Sequence, residues 1–102
     1  MRIMMNVKFP NHEFNAALRN GTLSKLIERI LDSIKPESVY FSEQNGRRGC
    51  VMVVNVKEPS EIPKIAEPFF LCLNADVEFG IAMTPEDLRK ANLEEITEKW
   101  SG

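Results

Sequence analysis

The sequence predicts an α+β domain in which strands alternate with amphipathic helices. Three observations support this: an Asn45-Gly46 pair between two alternating apolar segments, a helical apolar stripe before the pair, and another after it. Asn-Gly is a strong signal for a two-residue β-hairpin turn, and apolar residues at i, i+3, i+4 and i+7 indicate a helix with one buried face. The expected order is strand, helix, strand, strand, helix, strand and a terminal helix.

Composition limits the possible classes of protein. The chain has 102 residues, 43% of them hydrophobic, which is enough for one core, so residues 1–102 are predicted to form a single domain. A net charge of -2 does not favour nucleic-acid binding. Cys50 and Cys72 lie in apolar segments, so we expect reduced and buried thiols. No signal peptide or membrane span is predicted, and a cytoplasmic location is expected.

The first third of the chain predicts a strand and a helix in two pieces. Residues 2–9 alternate between apolar and polar faces, as a half-buried strand does, and Pro10 ends the strand. Two helical stripes follow, separated by the stop signal Asn20-Gly21, so a kinked or two-piece helix is expected between residues 11 and 35.

The two-residue loop sets the register of the hairpin. One expected face is apolar, whereas the other has Tyr40, Val51 and Val53 near the strand middles and polar residues toward the turn. The cross-strand pairs that this loop predicts are Gln44 with Arg47, Glu43 with Arg48, Phe41 with Cys50, and Val39 with Met52.

The second half predicts a helix, a fourth strand and a helical extension. Helical spacing continues across Pro68, which favours a kinked helix capped at Ser60 over a loop. Residues 75–83 alternate as a strand. The extension, residues 85–100, begins after a Thr84 cap, and a second cap at Asn92 allows two short helices in place of one.

This order of elements is the ferredoxin-like βαββαβ arrangement with a C-terminal helix. The first and third strands are expected in the middle of the sheet, with both crossover helices on one face. The other face is too apolar at its centre to remain exposed to solvent, so we expect it to pair with the same face of a second copy in a symmetric homodimer. The predicted interface residues are Met4, Asn6, Tyr40, Val51, Val53 and Glu78.

Three segments of the chain resemble a known group of proteins. RIMMNVKFP, VYFSEQNGRRG and PSEIPKIAEPFFLCLNADVEFGIAMTPEDL are similar to small uncharacterised bacterial proteins of the dimeric α/β-barrel superfamily, near the muconolactone isomerase-like domains of unknown function. The resemblance covers most of the chain and implies a dimeric α/β barrel. That superfamily includes isomerases, cofactor-free monooxygenases, haem-degrading enzymes and domains without known activity, so the resemblance does not select a function.

Few residues are candidates for chemistry. His12 and Tyr40 are the acid/base candidates, although His12 also has the position of an ordinary exposed residue at a helix start. One histidine and two separated cysteines do not have zinc-ligand spacing, so no metal is expected. Asn6 matches the strand asparagine of the haem-degrading relatives without the Trp and His that accompany it there, and no cofactor is expected.

An apolar pocket between helices and sheet is the best functional prediction. Its lining would be Phe14, Met52, Phe69 and Phe70, and a kink at Pro68 would leave room for a small apolar ligand, although a solid core fits the same residues. A second ligand hypothesis is an anionic or phenolic molecule, bound by Tyr40, Arg47, Arg48 and Glu78. Cross-strand pairing, such as Glu43 with Arg48, explains the charged residues equally well.

Two functional hypotheses follow. The preferred one is a homodimeric domain that binds a small molecule or a partner. The alternative is a cofactor-independent monooxygenase or isomerase that acts on a small aromatic or quinone-like compound. A void lined by His12, Phe14 and Phe69 would favour the enzyme, and a filled core would remove its main support.

Overall fold

The computed structural model describes residues 1–102 and contains one four-stranded antiparallel sheet with helices between and after its strands. The strands are β1 (Arg2–Lys8), β2 (Ser38–Gln44), β3 (Arg47–Asn55) and β4 (Asp76–Ala82). The helices are α1 (Asn11–Arg19), α2 (Leu23–Ile34), α3 (Ile62–Leu73), α4 (Pro85–Ala91) and α5 (Leu93–Trp100), and one 3-10 turn, Pro59–Glu61, precedes α3. The α+β class is confirmed.

The strands lie in the order β2-β3-β1-β4, and every neighbouring pair is antiparallel. This sheet is compatible with a ferredoxin-like fold. The hairpin register agrees with the prediction for all four cross-strand pairs, from Gln44 with Arg47 to Val39 with Met52. Asn45 and Gly46 both have positive φ angles, 53° and 78°, which is the backbone conformation that a type I′ turn requires and that Asn-Gly adopts readily.

The two-piece helix is also confirmed. It breaks at Gly21, whose φ of 75° suits a residue without a side chain. Beside the break, the Thr22 backbone N–H donates to the Ala17 carbonyl at 3.0 Å and to the Asn20 side-chain oxygen at 3.1 Å, so both bonds hold the connection between α1 and α2. The break lets α1 and α2 present their apolar residues to the sheet at slightly different angles.

The helix across Pro68 is present, but its start differs from the prediction. Ser60 does not cap it, because the residue lies inside the 3-10 turn. No side chain caps α3. The Glu61 carboxylate instead closes the 3-10 turn, because it accepts hydrogen bonds from the backbone N–H groups of Lys57 and Glu58 at 2.6 and 2.8 Å. These bonds hold the pKa of Glu61 below its usual value. The Glu61 side chain therefore stabilises the turn that connects β3 to α3.

The core lies between the two middle strands and the helices α1, α2 and α3. Its fully buried residues from β1 and the segment after it are Met5, Val7 and Phe9, and α3 contributes Phe69 and Leu73. Burial of each such side chain stabilises the fold by about 1.5–3 kcal/mol. The remaining members of this cluster are Ile3, Ala17, Ile30, Cys50, Met52, Val54, Val56, Ile65 and Ala75.

Toward the edges of the sheet, the helices do not cover the face that they pack on. Phe41 on β2 shares this face with buried Met52 and Cys50, yet it is 55% exposed. On β4, Phe79 and Ile81 are 40% and 68% exposed. Alternation along β2 and the segment 75–83 predicts that these three side chains and Met83 lie on the helix side of the sheet and are buried. The predicted face is right, but the predicted burial is wrong. Cys72 is also exposed, in contrast to the prediction of two buried thiols.

The helical extension consists of two short helices that project from the rest of the chain. Every residue from Pro85 onward is exposed. The chain is 62 Å long and 28 Å and 19 Å across, and its radius of gyration is 17.3 Å, whereas a compact chain of this length has a radius near ~13 Å. No helix in the structure is both long and apolar enough to cross a lipid bilayer.

Candidate functional site

A groove runs along the helix side of β2, where the helices leave the edge strand uncovered. Its first part, about 470 Å³, has Phe9, Phe14 and Phe41 as its apolar residues, and residues 46–49 of the hairpin form its rim. Phe9 is fully buried, Phe14 is half-buried, and their ring centroids lie 5.1 Å apart. The floor of this part is therefore aromatic and supported by the core.

The groove continues along α2. This second part, about 500 Å³, shares Phe14 and Phe41 with the first and adds the α2 side chains Leu23, Ile27 and Leu31. These three recur at i, i+4 and i+8 on the helical stripe that the sequence predicted, and all are half-buried. The two parts together form one open, largely apolar channel.

Arg48 is held over one end of the channel. Its guanidinium carbon lies 4.6 Å from the centroid of the Phe14 ring, and its Nη1 donates a hydrogen bond to Asn15 Oδ1 at 2.7 Å. Cation–π contact and the hydrogen bond fix the side chain where it can meet an anionic group. Glu43 pairs with Arg48 across the hairpin in register, but no ion pair joins their side chains, so the expected Glu43–Arg48 interaction is replaced by Asn15.

The structure does not bring the acid/base candidates together. His12 is exposed in the first turn of α1, on the helix side of the sheet, and forms no side-chain hydrogen bond. Tyr40 is exposed on the opposite face, where it pairs in register with Val51. Their roles as acid and base stay predictions. No group of three His, Cys, Asp or Glu side chains is arranged to hold a metal ion.

Two of the four predicted pocket residues belong to the core. Met52 and Phe69 are almost fully buried, and Phe9 packs against Phe69 with ring centroids 6.2 Å apart. The space between helices and sheet at this point is filled by aromatic rings. Phe70 is exposed, and only Phe14 lines the channel.

The six predicted interface residues do share one face of the sheet. In register, Met4 pairs with Val53, and Asn6 pairs with both Val51 and Glu78. Tyr40 lies beside Val51 on the other side of β3. No helix covers this face, and Val51 and Val53 are only half-buried in the isolated chain. This face, named here the open face, is a second candidate functional surface.

Titratable groups near the core are few. The thiol of Cys50 is buried on β3, and desolvation raises its pKa to about 11. At the start of β1, the Glu37 carboxylate accepts hydrogen bonds from the Arg2 guanidinium, the shortest at 3.0 Å, and the pKa of Glu37 is lowered as a result. Neither group lines the channel.

The sequence matches no protein-family model and no curated protein. The class of the protein therefore has to be inferred from its two surfaces, the channel and the open face.

Sequence reasoning did not find the channel itself. Phe41 was predicted to be a core residue, and Leu23, Ile27 and Leu31 were recognised only as a helical stripe. The contact of Arg48 with Asn15 spans 33 positions and has no local signal. The one available indication was the apolar helix side of β2, which three short helices do not fully cover.

Proposed function

We propose that this chain is a homodimeric binding domain with a ferredoxin-like fold. The open faces of two copies pack against each other, as in a dimeric α/β barrel, and the channel beside β2 accepts a small apolar ligand. One observation carries the proposal: the sheet has helices on one side only, while the centre of its other side is apolar.

The chemistry of the open face supports pairing of sheets. Met4, Val51 and Val53 lie in adjacent register positions at the centre, and Tyr40 extends the apolar area toward β2. Antiparallel sheets that face water normally have polar residues on that side. Two such faces packed at about 10 Å exclude water from both centres. A two-fold axis then places each apolar centre against its own copy.

Charge insertion at the centre of the open face tests the pairing. Val53→Lys is expected to convert a dimer into folded monomers, because a lysine at a paired apolar centre would be desolvated without a partner. Asn55→Lys is the matched control, since Asn55 lies on the same strand and face but is exposed at the strand end. Sedimentation equilibrium measures the mass, and circular dichroism verifies folding. A wild-type monomer at micromolar concentration would contradict the proposal.

The channel supports binding of an amphipathic ligand. Its floor is aromatic and aliphatic, and the Arg48 guanidinium is fixed over Phe14 at one end. Ligand sites combine an apolar lining with a few oriented polar groups, and Arg suits carboxylate, sulfonate or phosphate groups. The ligand class that fits is a small apolar or aromatic molecule with one anionic group.

A fluorescent probe of this class, 1-anilinonaphthalene-8-sulfonate, tests the channel. We expect saturable binding with one site per chain. Phe14→Ser should weaken it by about tenfold, because the aromatic floor and the stacking position of Arg48 are both lost. Leu18→Ser is the control, since Leu18 is exposed on the same helix outside the channel. Equal weakening by the two variants would show that the probe binds elsewhere.

The enzymatic alternative has less support from the geometry. His12 and Tyr40 lie on opposite faces of the sheet, and Phe9 and Phe69 fill the space that a buried active site would need. We therefore place binding ahead of catalysis for this chain.

A further inference from the structure

The C-terminal arm, residues 84–102, has an exposed apolar stripe, and none of its residues belongs to the core cluster. Leu93, Ile96 and Trp100 recur at i, i+3 and i+7 along α5, so they lie on one side of the helix. All three are exposed, Trp100 by 77%, as is Leu88 on α4. Isolated helices of seven or eight residues are unstable in water, and tertiary packing normally stabilises them. The arm lacks such packing within the single chain.

The chain exposes more surface than a compact monomer of its mass, and the excess is larger than the area that a standard dimer interface buries on one partner. Its accessible surface is 7469 Å², whereas a compact monomer of 11.6 kDa exposes about 5,800 Å². The surplus is roughly 1,600 Å² per chain, and a standard protein interface buries about 800 Å² on each partner. The surplus is therefore large enough for an extensive interface with a second copy, beyond what the open face alone requires.

The junction between β4 and the arm is short and capped. β4 ends at Ala82, and α4 begins three residues later at Pro85. Thr84 caps α4: its Oγ1 accepts from the Asp87 N–H at 3.1 Å, and the Asp87 carboxylate accepts from the Thr84 N–H at 3.0 Å. These reciprocal bonds and the fixed φ of Pro85 leave little freedom at the junction.

A matching apolar surface lies at the base of the arm. The helix-side residues of β4 and its extension, Phe79, Ile81 and Met83, are exposed although they belong to the face that packs on the helices. They are named here the β4 strip. Since the β4 strip and the stripe of the arm are both exposed within one chain, the arm of another copy can occupy the strip.

We infer that the arm packs on the β4 strip of a second copy, so that the two copies exchange arms about a two-fold axis. The inference rests on the homodimer proposed above and adds a second, separate contact to it. Exchange covers both apolar surfaces at once, because each chain supplies one arm and one β4 strip. The stripe of Leu93, Ile96 and Trp100 is the contact surface of the arm.

The charge of the arm argues against two other occupants of its stripe. Residues 84–102 contain five acidic and three basic side chains, so the arm is negative. Anionic membrane surfaces and nucleic acids attract basic segments and repel this one. The rest of a second copy does not repel the arm, because residues 1–83 have ten basic and ten acidic side chains and therefore no net charge.

Trp100 is the only tryptophan and reports directly on the arm. In the dimer of the unmodified chain its emission is expected to be blue-shifted and protected from quenching by acrylamide. On dilution, the Trp100 emission should shift to the red over the same concentration range in which the dimer dissociates into monomers. Ile96→Glu should raise the dimer dissociation constant about 100-fold and expose Trp100. Lys90→Gln is the control, because it lowers the net charge by one unit, as Ile96→Glu does, but lies on the side of α4 opposite Leu88. It should change the dimer dissociation constant by less than about threefold.

Four outcomes would overturn the arm exchange. A dimer whose Trp100 is water-exposed at every concentration would leave the sheet pairing intact and exclude the arm from the interface. A monomeric Val53→Lys variant with a blue-shifted Trp100 would show that the arm folds on its own body. Ile81→Glu, a change at an exposed position of the β4 strip, should expose Trp100 in the folded protein, and failure to do so would exclude the strip. A monomeric wild type would reject the exchange and the proposed homodimer together.

Discussion

The body of the chain and its C-terminal arm have the same kind of amphipathic pattern but reach opposite degrees of burial. In α3, Ile65, Phe69 and Leu73 recur on one side and are nearly fully buried against the sheet. In α5, Leu93, Ile96 and Trp100 recur in the same way and are exposed. The pattern therefore shows which side of a helix needs a partner, and the connections of the chain decide whether that partner belongs to the same molecule.

The sheet shows the same contrast between its centre and its edges. Met5 and Met52, paired in register on the middle strands, are fully covered by helices. Phe41 and Ile81, on the same face of the edge strands, are mostly exposed. Three short helices cover only the middle of a four-stranded sheet. The uncovered edges are where we place the ligand channel and the arm of the second copy.

The largest effect is expected from truncation of a buried side chain in the body. Phe69→Ala should lower the free energy of unfolding by about 3–5 kcal/mol, because it leaves a cavity beside Phe9. Phe70→Ala is the matched control, since the adjacent side chain is 39% exposed and its removal should cost no more than about 1 kcal/mol. Urea denaturation of both variants measures the difference. Similar losses would mean that α3 packs on the sheet by another side.

A second contrast concerns the two thiols. Cys50 is buried with a pKa near 11, and Cys72 is exposed. At pH 8, Cys72 should react with a thiol reagent at least about 100-fold faster than Cys50, which becomes accessible only when the fold opens. Rapid reaction of two thiols per native chain would contradict the burial of Cys50.

The Cys50 thiol also predicts a response to alkali. Its pKa is raised in the folded state, so its contribution to stability is complete below the ordinary thiol pKa and is lost as the pH rises toward about 11. Cys50→Ala should remove that part of the alkaline loss. The test is a comparison of midpoints for urea unfolding at pH 8 and pH 10 in the variant and the wild type.

The smallest effect is expected at the caps, and it should be larger in the arm than in the body. Hydrogen bonds from Thr84 hold the pKa of Asp87 below that of an ordinary aspartate. The cap therefore contributes its full stability at a pH above the ordinary aspartate pKa, and the contribution is lost as the pH falls through the lowered pKa of the folded protein. Asp87→Asn should reduce helical circular dichroism at neutral pH, because α4 lacks other support. Glu61→Gln weakens the corresponding bonds before α3, because an amide oxygen is a poorer acceptor than a carboxylate, and should leave helicity nearly unchanged.

Local chemistry explains why much of the fold was predictable. The Asn45-Gly46 turn determines the hairpin register, since a two-residue loop permits only one set of pairs. The break at Gly21 and the caps at Thr84 and Asn92 are local too, and the structure contains all three. Each of these features depends on residues only a few positions apart.

Contacts between distant parts of the chain account for what could not be predicted. The Asn15 side chain that holds Arg48 is 33 positions away, and nothing near either residue indicates the contact. The Ser60 cap predicted for α3 is absent, because the path of the chain after β3 places Ser60 inside a 3-10 turn that Glu61 closes. Likewise, alternation assigned Phe41 to the helix side of the sheet without showing that the helices stop short of it.

Sedimentation equilibrium of the unmodified chain over a range of concentrations tests the self-association most directly. We predict twice the 11.6 kDa mass of one chain at micromolar concentration, with reversible dissociation on dilution. A single species of one chain mass throughout that range would contradict it, because the open face and the arm stripe would then both be exposed to water.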